Sequence, residues 1–170
     1  DAIICSFPDT NFMTGGVEVK LDTALVLEAQ KGSQEGFTRL YEAVAPSLYR
    51  TALYTLGNSH DAADVVYETF IEAYRGLGAL RDPQAFVPWI YRILSARCNR
   101  KIREYVRARN QTDIDQMLEL PGEQNEFSET VLERTDLLHA LGQLAAEEKQ
   151  IVILSVIEGY TAKEIAAIVG

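Results

Sequence analysis

Residues 61–80 read DAADVVYETFIEAYRGLGAL and residues 85–105 read AFVPWIYRILSARCNRKIREY. In the first stretch Asp61, Asp64, Glu68 and Glu72 are spaced three, four and four apart. That spacing puts all four carboxylates on one side of an α-helix, while Val65, Val66, Thr69, Phe70 and Ala73 fill its other sides. In the second stretch, at ~100° per residue, Trp89, Arg92, Arg100, Arg103 and Arg107 fall within about an 80° arc. Phe86, Ile90, Leu94 and Tyr105 point elsewhere, toward a core. The two stretches therefore predict two amphipathic helices, one with an acidic stripe and one with a basic row.

The flanking sequence continues the helical pattern, and no segment alternates apolar and polar residues between Gly/Asn turns as a β-hairpin would. A first helix is expected over 21–31, ending at Gly32. A second is expected over 34–56, with Phe37, Leu40, Tyr41, Val44, Leu48 and Leu53 on its inner side and Pro46 as a candidate break or kink. Gly57-Asn58-Ser59 stops that helix and caps the acidic one. Gly76, Gly78 and Asp82-Pro83 make a loop before the long basic helix, expected over 84–108 with a proline in its first turns.

Residues 110–128 are polar and acidic and contain Pro121-Gly122, which reads as a linker. Beyond it Val131, Thr135, Leu138, Leu141 and Leu144 recur at spacings of three and four, and an apolar segment runs from Gln150 to Ile157 before Gly159. Thr161-Ala162-Lys163-Glu164 is a capping box opening a last helix with Ile165, Ile168 and Val169. The expected fold is all-α, with two small helical domains joined by an acidic linker. The expected organisation is a flexible N-terminal extension over 1–20, a first domain over 21–109, a linker over 110–130 and a second domain over 131–170. Met13 is a candidate natural start, and no basic segment precedes Ala2-Ile3-Ile4-Cys5 to make a signal peptide. The 161–170 helix, short and short of one packing neighbour, is expected to be mobile or covered by a partner.

The chain has 170 residues, 16 Lys+Arg against 25 Asp+Glu, a formal charge of −9 and 47% hydrophobic residues. This composition excludes overall disorder. Its longest apolar runs, such as Ile151-Val152-Ile153-Leu154, are far below the ~20 residues of a membrane-spanning helix. No membrane insertion is expected. Cys5 and Cys98 show no metal-ligand or disulfide spacing, so a reducing, cytoplasmic setting is expected, with no metal and no cofactor. None of the common catalytic motifs is present, and enzyme activity is not expected. His60 and His139 read as helix-surface residues and Cys98 as a small packed side chain.

An acidic total argues against nucleic acid, but the charge is segregated. Between Arg92 and Arg109 seven bases (Arg92, Arg97, Arg100, Lys101, Arg103, Arg107, Arg109) face one acid, Glu104, whereas between Asp113 and Asp136 eight acids face one base, Arg134. Such blocks suit partners of opposite sign. No Lys or Arg lies between His60 and Tyr74, so the acidic stripe reads as a face waiting for a basic partner, the alternative being a solvated acidic face. The basic row with Trp89 has the composition of a single-strand binding face, guanidinium groups tracking phosphates and an indole stacking on bases. Its alternative is a basic solvent face whose Trp is simply core.

Read together, these residues resemble the bacterial sigma-70 family, in its extracytoplasmic-function (ECF) group. Segment 61–80 is similar to the family's region-two signature D-A-x-D-x-x-Q-E-T-F, segment 85–105 to F-x-x-W-L-Y-R-I followed by a basic helix, and 137–169 to the start of region four, L-x-x-L-P-x-x-x-R-x-V-x-x-L-x-x-x-E-G-x-S-x-x-E-I-A. Tyr67 stands where the family usually has Gln, Ala96 where Asn is common and Ala145 where Pro is frequent. The resemblance implies a transcription initiation factor that directs promoter −10 recognition and melting. Asp61, Asp64, Glu68 and Glu72 would dock on the clamp of core RNA polymerase. Trp89, Arg92, Arg97, Arg100, Lys101, Arg103 and Arg107, with the 76–83 loop, would engage the −10 element single strand. It also implies an anti-sigma factor as partner, and a recognition helix for the −35 element that would follow Gly170. The alternative function is a sigma-like helical interaction module or decoy acting only through protein contacts.

Overall fold

The computed structural model of the chain describes residues 21–111 and 139–169. Among them the structure is helical, with α1 at Thr23–Gln30, α2 at Gln34–Leu56, α3 at Ser59–Gly76, α4 at Phe86–Gln111, α5 at Ala146–Val152 and α6 at Ala162–Val169. The expected linker and the 131–138 part of the leucine pattern lie outside the described residues. Two short 3₁₀ turns, Leu77–Ala79 and Pro83–Ala85, connect α3 to α4, and a widened turn at Ile153–Ile157 extends α5.

Local chemistry sets these boundaries. The carboxylate of Asp22, the hydroxyl of Ser33 and the amide oxygen of Asn58 accept from the N–H of Ala24, Gly36 and Asp61 at 2.9–3.0 Å, capping α1, α2 and α3. Asp82 accepts likewise from Gln84 N–H at 3.0 Å and opens the turn that leads into α4. Gly57, at φ 71°, takes the left-handed conformation that closes α2. Pro46 does not break α2; it sits exposed within a continuous helix, where its missing N–H is on the solvent side.

α2, α3 and α4 pack together, with α1 and the 3₁₀ turns closing one end. Their shared core holds Leu40, Val44, Leu48, Val65, Val66, Phe70, Phe86, Ile90 and Leu94. Each such side chain, fully buried, stabilises the fold by about 1.5–3 kcal/mol. Cys98 is buried as expected, and burial pushes its thiol up to about 12. Tyr105 departs from its expected core position: it is 38% exposed and turns its hydroxyl to Asp61. A phenol can satisfy its polar end only at the rim, which draws it out of the apolar seam.

The second helical unit lies on the first. Leu154, Ile165 and Ile168 belong to the same apolar cluster as α2–α4, and α6 packs along α4. Leu141 and Ile153 form a smaller cluster with Tyr54 of α2. This corrects the expectation for the last helix: α6 finds its neighbour in α4 of its own chain. The capping box is formed, Thr161 N–H donating to Glu164 Oε2 at 2.8 Å and Glu164 N–H to Thr161 Oγ1 at 3.4 Å.

Candidate functional site

The two stripes predicted from the sequence face each other. α3 and α4 run side by side so that Glu72 and Glu68 meet Arg97, Glu68 also meets Arg100, and Asp61 meets Lys101 and Tyr105 further along α4. Arg97 Nε donates to Glu72 at 3.0 Å, Arg97 Nη1 to Glu68 at 3.2 Å, Arg100 Nη2 to Glu68 at 2.8 Å, and Lys101 Nζ to Asp61 at 2.8 Å. The acidic stripe was expected to lack bases because none lies near it in sequence. The correction is tertiary: the bases come from α4, more than twenty residues away. Asp64 is exposed beside them, with Tyr67, at the rim of a shallow cleft also lined by Val65, Glu68, Arg97, Arg100 and Lys101.

Most of these pairs are solvent-facing. The side chains of Glu68 and Glu72 are 40% and 49% exposed, and pairs in that environment contribute about 0.2–1 kcal/mol. Desolvation alone would push the Asp61 carboxyl up, but hydrogen bonds from Lys101 and Tyr105 outweigh it and hold the group below the usual carboxylate range. The bond to Glu72 pushes the Arg97 guanidinium up, and the bond to Asp61 does the same for Lys101.

The rest of the basic row divides. Arg92 is exposed, but its Nε donates to the Ala167 carbonyl of α6 at 2.6 Å. Arg103 and Arg107 are exposed and carry no ion pair among the described residues. Trp89, which the sequence left either as a stacking surface or as core, is half-buried, its ring centroid 5.9 Å from that of Phe86. A Cβ added at Gly76 would lie 3.1 Å from the indole, so the close approach of α3's end to Trp89 depends on that glycine. The physical reason is area: an indole has more apolar surface to bury than the loop leaves open to water.

A third arrangement was missed by sequence reasoning. Glu158, at the end of the widened turn, is buried, with 1% of its side chain exposed, and accepts a two-pronged pair from Arg50 of α2, Nε to Oε1 and Nη2 to Oε2, both at 2.8 Å. Ser47 Oγ donates to the same carboxylate, and Tyr91 OH then donates to Ser47 Oγ at 2.6 Å. Burial, followed by the Glu158 carboxylate, pushes the Tyr91 phenol well above its usual value; burial pushes that of Tyr160 up to about 12. The bond to Glu158 raises the Arg50 guanidinium. A Glu before a helix-stopping Gly reads as surface, and only the partner 108 residues away reveals otherwise.

Among the described residues no group of His, Cys, Asp or Glu is arranged to hold a metal ion, and no helix is long and apolar enough to cross a membrane. The fold and site define a helical protein in which an acidic and a basic helix face are set side by side. Residues 33–109 match Sigma-70 region 2 and residues 134–170 match Sigma-70 region 4. The chain is 30% identical over 164 residues to the ECF RNA polymerase sigma-E factor of Haemophilus influenzae, covering 86% of this chain and 82% of that one. It is 28% identical over 156 residues to the RNA polymerase sigma factor NccH of Alcaligenes xylosoxydans xylosoxydans, covering 88% and 83%. Among solved structures, CnrH in complex with the cytosolic domain of CnrY matches with TM-score 0.66 and 25% identity, covering 88% of this chain and 82% of that one. The chain belongs to the sigma-70 family, in its extracytoplasmic-function group, and its function is transcription initiation.

Proposed function

We propose that α3 docks on the basic coiled-coil of the RNA polymerase clamp through Asp61, Asp64, Glu68 and Glu72, and that α4 with the 76–83 loop engages the −10 promoter element as it melts. The observation that carries this reading is the juxtaposition of an acidic and a basic helix most of whose mutual ion pairs face solvent. Because each exposed pair contributes only about 0.2–1 kcal/mol, a partner with a denser array of charge can replace it at small cost. α3 then exchanges Arg97, Arg100 and Lys101 for bases of the polymerase. Those three residues, so released, join Arg103 and Arg107 along a phosphate backbone.

Opening DNA exposes bases, and a protein that captures the unstacked strand lowers the cost of opening. Trp89, packed on Gly76 and Phe86, serves by ordering the 76–83 loop against which a flipped base would sit. The factor makes and breaks no covalent bond; it supplies promoter choice to a polymerase in the cytoplasm. CnrH is bound by the cytosolic domain of CnrY, and an anti-sigma protein of this kind fits the present chain as its negative regulator. The test of docking is capture by core polymerase: Asp64→Lys with Glu68→Lys is expected to abolish capture while circular dichroism keeps the helical signal. Undiminished capture overturns the assignment of α3.

A further inference from the structure

Gln30, the last residue of α1, directs its side-chain amide at the 76–83 loop. Its Nε2 donates to the carbonyl of Leu77 at 3.0 Å and to that of Leu80 at 2.7 Å. An amide nitrogen carries two protons, so both are committed to the two ends of a single 3₁₀ turn. The orientation follows from the partners: turned over, Oε1 would face two carbonyl oxygens. The Leu80 N–H also donates to the Leu77 carbonyl at 3.1 Å, which closes the turn on itself. Gln30 thus ties together a turn that has no side-chain cap of its own, because Gly76 stands at its N-cap.

The hold comes from the body of the protein and not from the loop. Val26 and Ala29 of α1 are buried in the core shared with α2, α3 and α4, and α1 touches both 3₁₀ turns. The turn itself is anchored by the buried Leu77 and the half-buried Leu80. Between these anchors Gly78 and Ala79 face solvent. A Cβ added at Gly78 would meet no atom within 4 Å among the described residues, and Gly78 does not take a left-handed backbone. Neither crowding nor strain within the chain calls for glycine there. A bare backbone at an exposed apex does admit a flat ring close to the chain. The two carbonyls that Gln30 holds are those flanking that apex.

We propose that Gln30 is a positioning residue for base capture: it holds the 77–80 turn in one conformation, so that an unstacked promoter base meets a preformed surface at Gly78 and Ala79. The inference rests on the reading of the 76–83 loop as the seat of a flipped base, and deepens it by naming the residue outside the loop that sets its shape. A loop already in its bound conformation loses no further ordering entropy on binding, so the base that fits the seat gains affinity. Without Gln30 only a fraction of molecules holds that shape, and affinity for the fitting base falls by that fraction. Bases that never use the seat are held by phosphate contacts along α4 and lose nothing. A role confined to the fold acts differently, since unfolding lowers every affinity by the same factor.

The test compares the whole chain with its Gln30→Ala variant. The probes are a fluorescent single-stranded thymine tract and the same tract carrying one central adenine, cytosine or guanine, each titrated across a range of salt. The original chain is expected to favour one guest base over the weakest by about tenfold. In Gln30→Ala that ratio is expected to fall below about twofold, with the slope of log affinity against log salt unchanged. Amide exchange at Leu80, measured without DNA, is expected to quicken about tenfold as the turn loses the two hydrogen bonds from Gln30. Affinities all lowered by one common factor, with the ratio kept, overturn the proposal, as does unchanged exchange at Leu80. Should Gln30→Ala lose helical signal in circular dichroism, Gln30→Glu replaces it with the same expected and overturning results, since at neutral pH it keeps the size and removes both donors. Failure of the underlying reading shows in the original chain instead. If that chain binds all the tracts alike, the loop seats no base and the proposal falls with it. If the original chain discriminates and the variant does so equally, the seat stands and Gln30 is not what shapes it.

Discussion

Two sets of carboxylate–guanidinium pairs in this molecule behave differently because of where water is. Between α3 and α4, Glu68 and Glu72 are 40% and 49% exposed beside Arg97 and Arg100; between α2 and the end of α5, Glu158 is 1% exposed beside Arg50. The first set is screened and exchangeable. In the second the carboxylate is desolvated while Arg50 keeps partial access to water, so removing Arg50 leaves a buried charge without its counter-ion. The same chemistry therefore yields solvent-screened pairs on one side and a carboxylate dependent on its counter-ion on the other.

The largest effect expected from breaking this comparison is at the buried pair. Glu158→Ala should cost the packing of the second unit on the first about 3 kcal/mol, seen as roughly hundredfold faster amide exchange across 162–169 while α3 and α4 stay protected. Next comes its apolar support: Ile168→Ala should weaken the same packing by about 2 kcal/mol with no effect on the α3–α4 pairs. Glu68→Gln, at the exposed set, should change the unfolding free energy by no more than about 1 kcal/mol, a difference that 1 M salt should erase. A drop as large as that of Glu158→Ala would show that the exposed pairs are not exchangeable.

The smallest expected effect is pH dependence through Asp61. Its folded-state carboxyl is held below the ordinary value of about 3.9, so its contribution is fully present above that pH and is lost as pH falls through the lower folded value. Asp61→Asn should flatten the acid limb by slightly lowering stability at neutral pH, where the contribution is present, and leave stability below the folded value unchanged. An acid limb identical to that of the original chain would refute the role given to Lys101 and Tyr105.

The comparison also marks what a sequence exposes. The helices of the first unit were legible because periodicity and caps are local: Ser33, Asn58 and Asp82 cap where they stand, and Phe70, Ile90 and Leu94 repeat at core spacing. The stripes on α3 and α4 were legible for the same reason. That the stripes pair with each other was not, since nothing within α3 records the twist and register that bring Arg97 to Glu72. Trp89 was read by its arc when its neighbours, Gly76 and Phe86, decide its burial. Glu158 was invisible because its partners lie on α2, a separation that no helical period spans.

The central claim is that the basic row of α4 binds the single strand of an opening promoter. The most direct measurement is the affinity of the whole chain for a −10-type single-stranded oligonucleotide across a range of salt, before and after Arg103→Ala with Arg107→Ala. Each phosphate contact contributes about 0.7 to the slope of log affinity against log salt, so losing two should reduce the slope by about 1.4 and weaken binding at every salt. A slope and affinity unchanged by the double substitution would contradict the claim.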